Sequence, residues 1–190
     1  MAEIVLITGG ARSGKSAEAL RLAKPHARRV FIATAEPLDD EMRERIARHR
    51  AERGAGWETI EAPLDLSGAV RSIDDRNAAL VIDCLTVWLG NWMHLDAATN
   101  ETASPCNDLI EALRKSHAGR IILVSNEVGM GIVPEHALVR CYRDVAGRLN
   151  QRIAAVADRV ILMVCGQALI IKPVSEGRES HGKAILRANL

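Results

Sequence analysis

The sequence predicts an open α/β fold with a mostly parallel central sheet flanked by helices. Three observations predict it. Short unbroken apolar runs recur along the chain, charged segments of helical period separate them, and no long linker or internal repeat interrupts the alternation. Unbroken rather than alternating apolar runs mark strands covered on both faces. Helices between such strands mark parallel crossovers.

Taken in order, Ile4–Ile7 reads as a buried strand and Ser13–Lys24 as a helix with Ala17, Leu20 and Ala23 on one face. Val30–Ala33 is a second strand, and the charged segment Asp39–Arg53 is helical in period. Trp57–Glu61 reads as a short strand and Leu80–Ile82 as a clearer one. Cys84–Met93 and Pro105–Lys115 read as helices, separated by the loop-like stretch Asp96–Pro105. Ile121–Ser125 is a strand, and Glu135–Ala157 a long helix with Leu138, Tyr142, Val145, Leu149, Ile153 and Val156 spaced as one stripe. Val160–Val164 is the last expected strand. The length of 190 residues fits a single domain, enough to bury roughly 70% of the unfolded chain's surface. The domain is expected to span residues 1–172. The tail, 173–190, loses the pattern and is expected to be poorly ordered or to cover a neighbouring subunit.

Composition excludes several function classes. A formal net charge of +1 supplies no basic field for nucleic acid or an anionic membrane. Aromatic residues are only 3%, too few for base-stacking platforms. Cys84, Cys106, Cys141 and Cys165 form no C-x-x-C pair, so they read as reduced thiols of a cytoplasmic protein. The start, MAEIVLITGG, has no basic region and too short an apolar run for a signal peptide or membrane span.

The strongest chemical signal is GGARSGKS: Gly9, Gly10, Ala11, Arg12, Ser13, Gly14, Lys15 and Ser16. It matches G-x-x-x-x-G-K-[ST] between a strand and a helix, the context a phosphate-binding P-loop requires. Backbone N–H groups and the helix's positive end would hold phosphates there. Lys15 would reach the β- and γ-phosphates, and the Ser16 hydroxyl would bind Mg²⁺ through the nucleotide complex. The fold class is thus a single-domain P-loop NTPase fold. The loop alone names no reaction. The chain has no N-K-x-D guanine signature and no arginine-rich lid of the adenylate kinase kind.

Asp83 ends the apolar run AALVID. It suits a Walker-B acid that holds a water on Mg²⁺ or orients an acceptor hydroxyl, and equally an N-cap for the following helix. On the helix DDEMRERIARHRAER, Met42, Ile46, His49 and Arg53 fall within roughly 60° of one another at about 100° per residue. His49 and Arg53 therefore share the face that meets the protein body. Such a histidine reads as a core or interface group, or as a nucleophile forming a phosphoramidate beside a charge-stabilising arginine.

These residues resemble the family of bifunctional adenosylcobinamide kinase/adenosylcobinamide-phosphate guanylyltransferases of cobalamin biosynthesis. The resemblance runs from Ile4 to about Lys172. Its segments are TGGARSGKS, IATAEPLDDEM, RIARHRAER, Trp57 with Glu61, DCLTVWL, SNEVGMGIVPE and RDVAGRLNQRIAAVAD. It implies phosphorylation of the adenosylcobinamide hydroxyl by ATP or GTP. GMP then passes from GTP through a guanylylated histidine to adenosylcobinamide phosphate, with release of pyrophosphate. The only histidine on the helix in question is His49, so His49, Lys15 and Asp83 are the expected catalytic residues. Nucleotide contacts are implied from Gly9 to Ser16, from Thr34, Ala35 and Glu36, from Arg50, Ala51, Glu52 and Arg53, and from Glu61 and Asp83. A homotrimer is implied, and a P-loop kinase without the nucleotidyl step is the alternative. Asn126 and Glu127 follow the strand Ile121–Ser125 at the edge where such sheets bind ligands, and are candidates for substrate contact.

Overall fold

The computed structural model describes residues 1–96, 100 and 102–173, apart from the side chains of Arg45 and Glu52. The expected tail beyond Pro173, and part of the loop 97–101, lie outside the described residues. The elements run β1 (Glu3–Gly9), α1 (Lys15–Ala23), β2 (Arg28–Ala33), α2 (Asp40–Arg53), β3 (Glu58–Glu61), α3 (Leu66–Arg71) and β4 (Ala78–Asp83). They continue with α4 (Leu85–Leu95), α5 (Ser104–Lys115), β5 (Arg120–Val124), a 3-10 turn (Val128–Met130), α6 (Ala137–Val156), β6 (Arg159–Val164) and β7 (Gln167–Lys172).

The strands form one seven-stranded sheet in the order β3-β2-β4-β5-β1-β6-β7. Every pairing is parallel except β6 with β7. The unbroken apolar strands are buried on both faces, as their composition requires. On one face Ile4, Leu6, Val30, Ile32, Leu80, Ile82, Ile121 and Leu123 pack with residues of α3, α4, α5 and α6. On the other, Val5, Ile7, Phe31, Val81, Ile122 and Val124 pack with Ala19, Leu22 and Ala23 of α1. Single-residue alternation thus feeds two cores from one sheet.

The structure corrects several local expectations. The buried face of α1 is Lys15, Glu18, Ala19, Leu22 and Ala23, whereas Ala17 is exposed and Leu20 only half-buried. Glu18 turns inward because Arg21 satisfies its carboxylate through two hydrogen bonds of 2.7 Å. The stripe on α6 holds at Val145, Leu149 and Ile153, but Leu138 at its start is 50% exposed. Besides the 3-10 turn, two elements were not expected. Helix α3 is six residues long, too short to display a period, and is started by Asp65, whose side chain accepts from the Gly68 N–H at 2.7 Å. Strand β7 follows a tight turn at Cys165 and Gly166, with φ of 51° and 78°. Two successive positive φ values are the mark of a two-residue hairpin, which Asn-Gly usually signals and Cys-Gly does not.

Candidate active site

The phosphate loop is shaped by two glycines. Gly9 has φ 147°, and a Cβ there would lie 2.5 Å from the Met163 carbonyl oxygen and 2.8 Å from Ser13 Oγ. Gly14 has φ 98° and caps α1 from the left-handed region, which a side chain rarely adopts. Lys15 is buried, and its ammonium donates to the Gly10 carbonyl at 2.6 Å. Ser13 Oγ is buried with no hydrogen-bond partner among the described residues, so the loop holds an unused hydroxyl as well as its N–H groups. Gly10, Ala11 and Arg12 form the exposed crown of the loop. Its base is propped by the β6–β7 turn, where the Gly166 N–H donates to the Ser13 carbonyl at 3.0 Å.

Ser16 Oγ donates to Asp83 Oδ2 at 2.7 Å. Residues 67 apart in sequence therefore meet as a hydroxyl–carboxylate pair beside the loop. The N-cap of α4 is Cys84, not Asp83, so the capping alternative for Asp83 falls away. Residues of this kind fit a nucleotide-bound Mg²⁺: a hard hydroxyl oxygen and a carboxylate, one directly after the loop lysine. Among the described residues no group of three or more His, Cys, Asp or Glu is placed to hold a metal alone. Such an ion would depend on phosphate and water oxygens for the rest of its coordination.

On the other side of Asp83 a cavity of about 540 Å³ opens between α2 and the strand ends. Met42, Ile46, His49, Arg50 and Arg53 line it from α2, with Phe31, Ala33, Ala35, Glu61, Asp83 and Cys84 facing them. The helical face expected from the sequence is therefore the face that meets this cavity. Helix α2 itself is well specified. The Asp39 side chain accepts from the Met42 N–H at 2.7 Å, Asp40 and Glu41 occupy the first turn, and Arg50 and Arg53 the last. That charge order suits the helix dipole. Yet no described side chain of α2 is fully buried, because its inward face looks onto the cavity and not onto a packed core.

The arginines are held differently. Arg50 pairs with Glu61 at 2.6 Å, both side chains being more than half exposed, 54% and 70%. Arg53 lies over the Phe31 ring, its Cζ 3.9 Å from the centroid. Burial, and then the neighbouring Arg50 charge, pull the Arg53 pKa below its ordinary value, while Asp83 opposes them. A guanidinium remains charged regardless, so the cavity holds a cation with reduced hydration, suited to an anionic group. The Cys84 thiol is pushed up, first by burial and then by Asp83, which removes it as a nucleophile near neutral pH.

Not every expected contact faces the cavity. Thr34 is fully buried, and its hydroxyl accepts from the Cys84 N–H at 2.8 Å and donates to the Cys84 carbonyl at 3.0 Å. Ala35 lines the cavity, but Glu36 is exposed beyond it. Ala51 is on the exposed side of α2, and the Glu52 side chain lies outside the described residues. Phe31, Met42 and Ile46 were not among the expected site residues. An apolar residue on a strand carries no sign that it will floor a pocket.

A second polar cluster stands at the end of β5. Glu127 Oε1 accepts from the Thr8 hydroxyl and, at 3.4 Å, from Asn150 Nδ2. Asn126 Nδ2 donates to Thr86 Oγ1 at 2.8 Å, and Ser125 Oγ to Asn150 Oδ1 at 2.6 Å.

Comparison with known proteins identifies the family. Residues 5–171 match the family model described as cobinamide kinase / cobinamide phosphate guanyltransferase. The chain is 46% identical over 168 residues to the bifunctional adenosylcobalamin biosynthesis protein CobP of Pseudomonas aeruginosa, covering 88% of this chain and 96% of that protein. It is 40% identical over 181 residues to the bifunctional adenosylcobalamin biosynthesis protein CobU of Salmonella typhimurium, covering 89% and 99%. Among solved structures it resembles a prototypical type III secretion ATPase with TM-score 0.50 at 12% identity, over 84% of this chain and 50% of that one. It also resembles the type III secretion ATPase EscN of enteropathogenic Escherichia coli with TM-score 0.51 at 12% identity, over 86% and 43%. At such identity these two likenesses concern the fold alone.

Proposed function

From the premise that this chain belongs to the cobinamide kinase / cobinamide phosphate guanyltransferase family, we propose how its residues divide the work of two reactions. The enzyme phosphorylates the hydroxyl of adenosylcobinamide, then transfers GMP from GTP to adenosylcobinamide phosphate, giving adenosylcobinamide-GDP and pyrophosphate. The loop Gly9–Ser16 grips the triphosphate in both reactions. Its backbone N–H groups and the Ser13 hydroxyl bind oxygens, and Lys15 swings from the Gly10 carbonyl onto the β- and γ-phosphates. Mg²⁺, held beside Ser16 and Asp83, supplies charge neutralisation on the phosphates when bound.

His49 carries the GMP. An imidazole nitrogen attacks the α-phosphorus, the bond to the β-phosphate oxygen breaks, and pyrophosphate leaves with the electron pair. The alcohol-phosphate oxygen of the second substrate then attacks the same phosphorus and frees His49. Arg53, stacked on Phe31 beside Asp83, and Arg50 stabilise charge on the transferring group. Glu61 and Ala35, which line the cavity, border the guanine and ribose. The single observation carrying this reading is the shared cavity, in which His49, Arg50, Arg53 and the Ser16-bonded Asp83 face one space.

We further propose ATP or GTP for the kinase step, cytoplasmic location and a homotrimer. No described helix is long and apolar enough to cross a membrane. Met130, Ile132 and Val133, exposed at 73%, 97% and 60%, give an apolar surface that a trimer would cover. Incubation with α-labelled GTP followed by denaturation tests the covalent step. Acid-labile, base-stable label is expected on the enzyme and absent from His49→Ala. Label persisting in that variant sinks the histidine role, and label that never appears sinks the covalent step, the outcome expected of a kinase without nucleotidyl transfer.

A further inference from the structure

The polar cluster at the end of β5 has no task in the scheme above. We infer that Glu127 is the general base of the kinase step, a role that rests on the kinase reading of the family.

The strand order supplies the first reason. Strand β5 lies between β1, which leads into the phosphate loop, and β4, which ends in Asp83. Val124, the last residue of β5, is in register with Ile7 on one side and Asp83 on the other. The chain then continues along β1 instead of leaving it. The Ser125 N–H donates to the Ile7 carbonyl at 2.9 Å, and the Glu127 N–H to the Gly9 carbonyl at 3.1 Å. Glu127 is therefore fastened by its backbone to the first residue of the phosphate loop.

The side chain supplies the second reason. One carboxylate oxygen, Oε1, is held by the Thr8 hydroxyl and Asn150. The other, Oε2, has no hydrogen-bond partner among the described residues. The carboxylate is half-buried, and Asn150 is itself locked by Ser125. One oxygen is thus anchored and its twin is left as an acceptor beside the loop. Of the other acids at this edge, Asp83 is already committed to the Ser16 hydroxyl at 2.7 Å and Glu61 to Arg50 at 2.6 Å. Phosphoryl transfer to an alcohol needs a group that takes the hydroxyl proton. Glu127 supplies it in balance. The acceptor O–H proton passes to Oε2 as the alcohol oxygen bonds the γ-phosphorus. The bond to the β-phosphate oxygen breaks, and the nucleoside diphosphate leaves with that electron pair. Glu127 then returns its proton to water.

Glu127→Gln keeps the shape and the acceptor for Thr8 but removes the base. Kinase turnover with adenosylcobinamide is expected to fall by about 10²–10⁴-fold, at least about a hundredfold further than α-labelled GMP incorporation at His49. Glu127→Asp, which keeps a carboxylate one methylene short, is expected to show the same split to a smaller degree. It carries the test if the Gln variant does not fold. Intact kinase activity, or equal loss of both half-reactions, would overturn the proposal, the second outcome making Glu127 a prop of the loop. Absence of kinase turnover in the unaltered protein would instead strike the family reading.

Discussion

Gly9→Ala is expected to destabilise the protein by about 2–6 kcal/mol. The added methyl would sit 2.5 Å from the Met163 carbonyl oxygen, far inside contact distance. That oxygen is backbone of β6, locked into the sheet next to β1 in the register Gly9↔Met163, so it cannot swing aside. Forcing a methyl into a packed site costs about 1–3 kcal/mol. Holding a non-glycine residue at φ 147° adds a similar amount, on the order of 1–3 kcal/mol. For a chain of this size each kcal/mol shifts Tm by about 2–4 °C, so calorimetry should record a fall of roughly 4–24 °C. Gly10→Ala is the control. A Cβ there meets nothing within 4 Å and the residue needs no positive φ, so its Tm should stay within about 2 °C of the parent. An unchanged Tm for Gly9→Ala, or an equal fall for Gly10→Ala, would refute the steric reasoning.

Four further outcomes are expected. Arg53→Ala should slow GMP incorporation about 10²–10³-fold, while loss of its ring contact costs only about 0.5–2 kcal/mol; Arg50→Ala should leave Tm within about 2–3 °C, because its pair with Glu61 is exposed. Tyr142, the single tyrosine, is pushed up to about 12 by burial first and then by Cys84. Its folded pKa exceeds the unfolded value of about 10, so the stability it contributes is complete below about pH 10 and is lost as pH rises toward 12. Ultraviolet titration should find the phenolate appearing near pH 12 in the folded protein, and the unfolding free energy from denaturant titrations should fall across that window by about 2–3 kcal/mol. Thiol labelling near neutral pH should modify Cys141 and Cys165 rapidly, and Cys84 and Cys106 only on unfolding, as counted by mass spectrometry.

The parts of the site that were legible in the sequence share a grammar. An acid closing an apolar strand meets a P-loop serine because parallel sheets align strand ends at one edge, which is why Asp83 and Ser16 were expected together. The placement of His49 on the cavity was legible because Met42 and Ile46 reveal the inward face of α2 by spacing, whereas its role was implied only by the family resemblance. What stayed illegible depends on neighbours across the sheet. The Thr34 hydroxyl is absorbed by the Cys84 backbone, a contact between residues 50 apart that no local pattern announces. Arg53 over Phe31 needs the parallel register of β2 with β3 and β4 before it can be seen. The inward turn of Glu18 depends on Arg21, and β7 on a Cys-Gly turn with unusual dihedrals.

The prop between Gly166 and Ser13 sets a timetable for assembly. The phosphate loop precedes its partners in the chain: its strand is flanked by β5 and β6, and its base is closed by a turn after residue 164. None of these partners exists when the loop leaves the ribosome. Contacts of such long sequence separation form late, after much chain entropy has been spent. The nucleotide grip is therefore a product of completed folding, and a chain cut short before β6 would carry the full motif with no site to show for it.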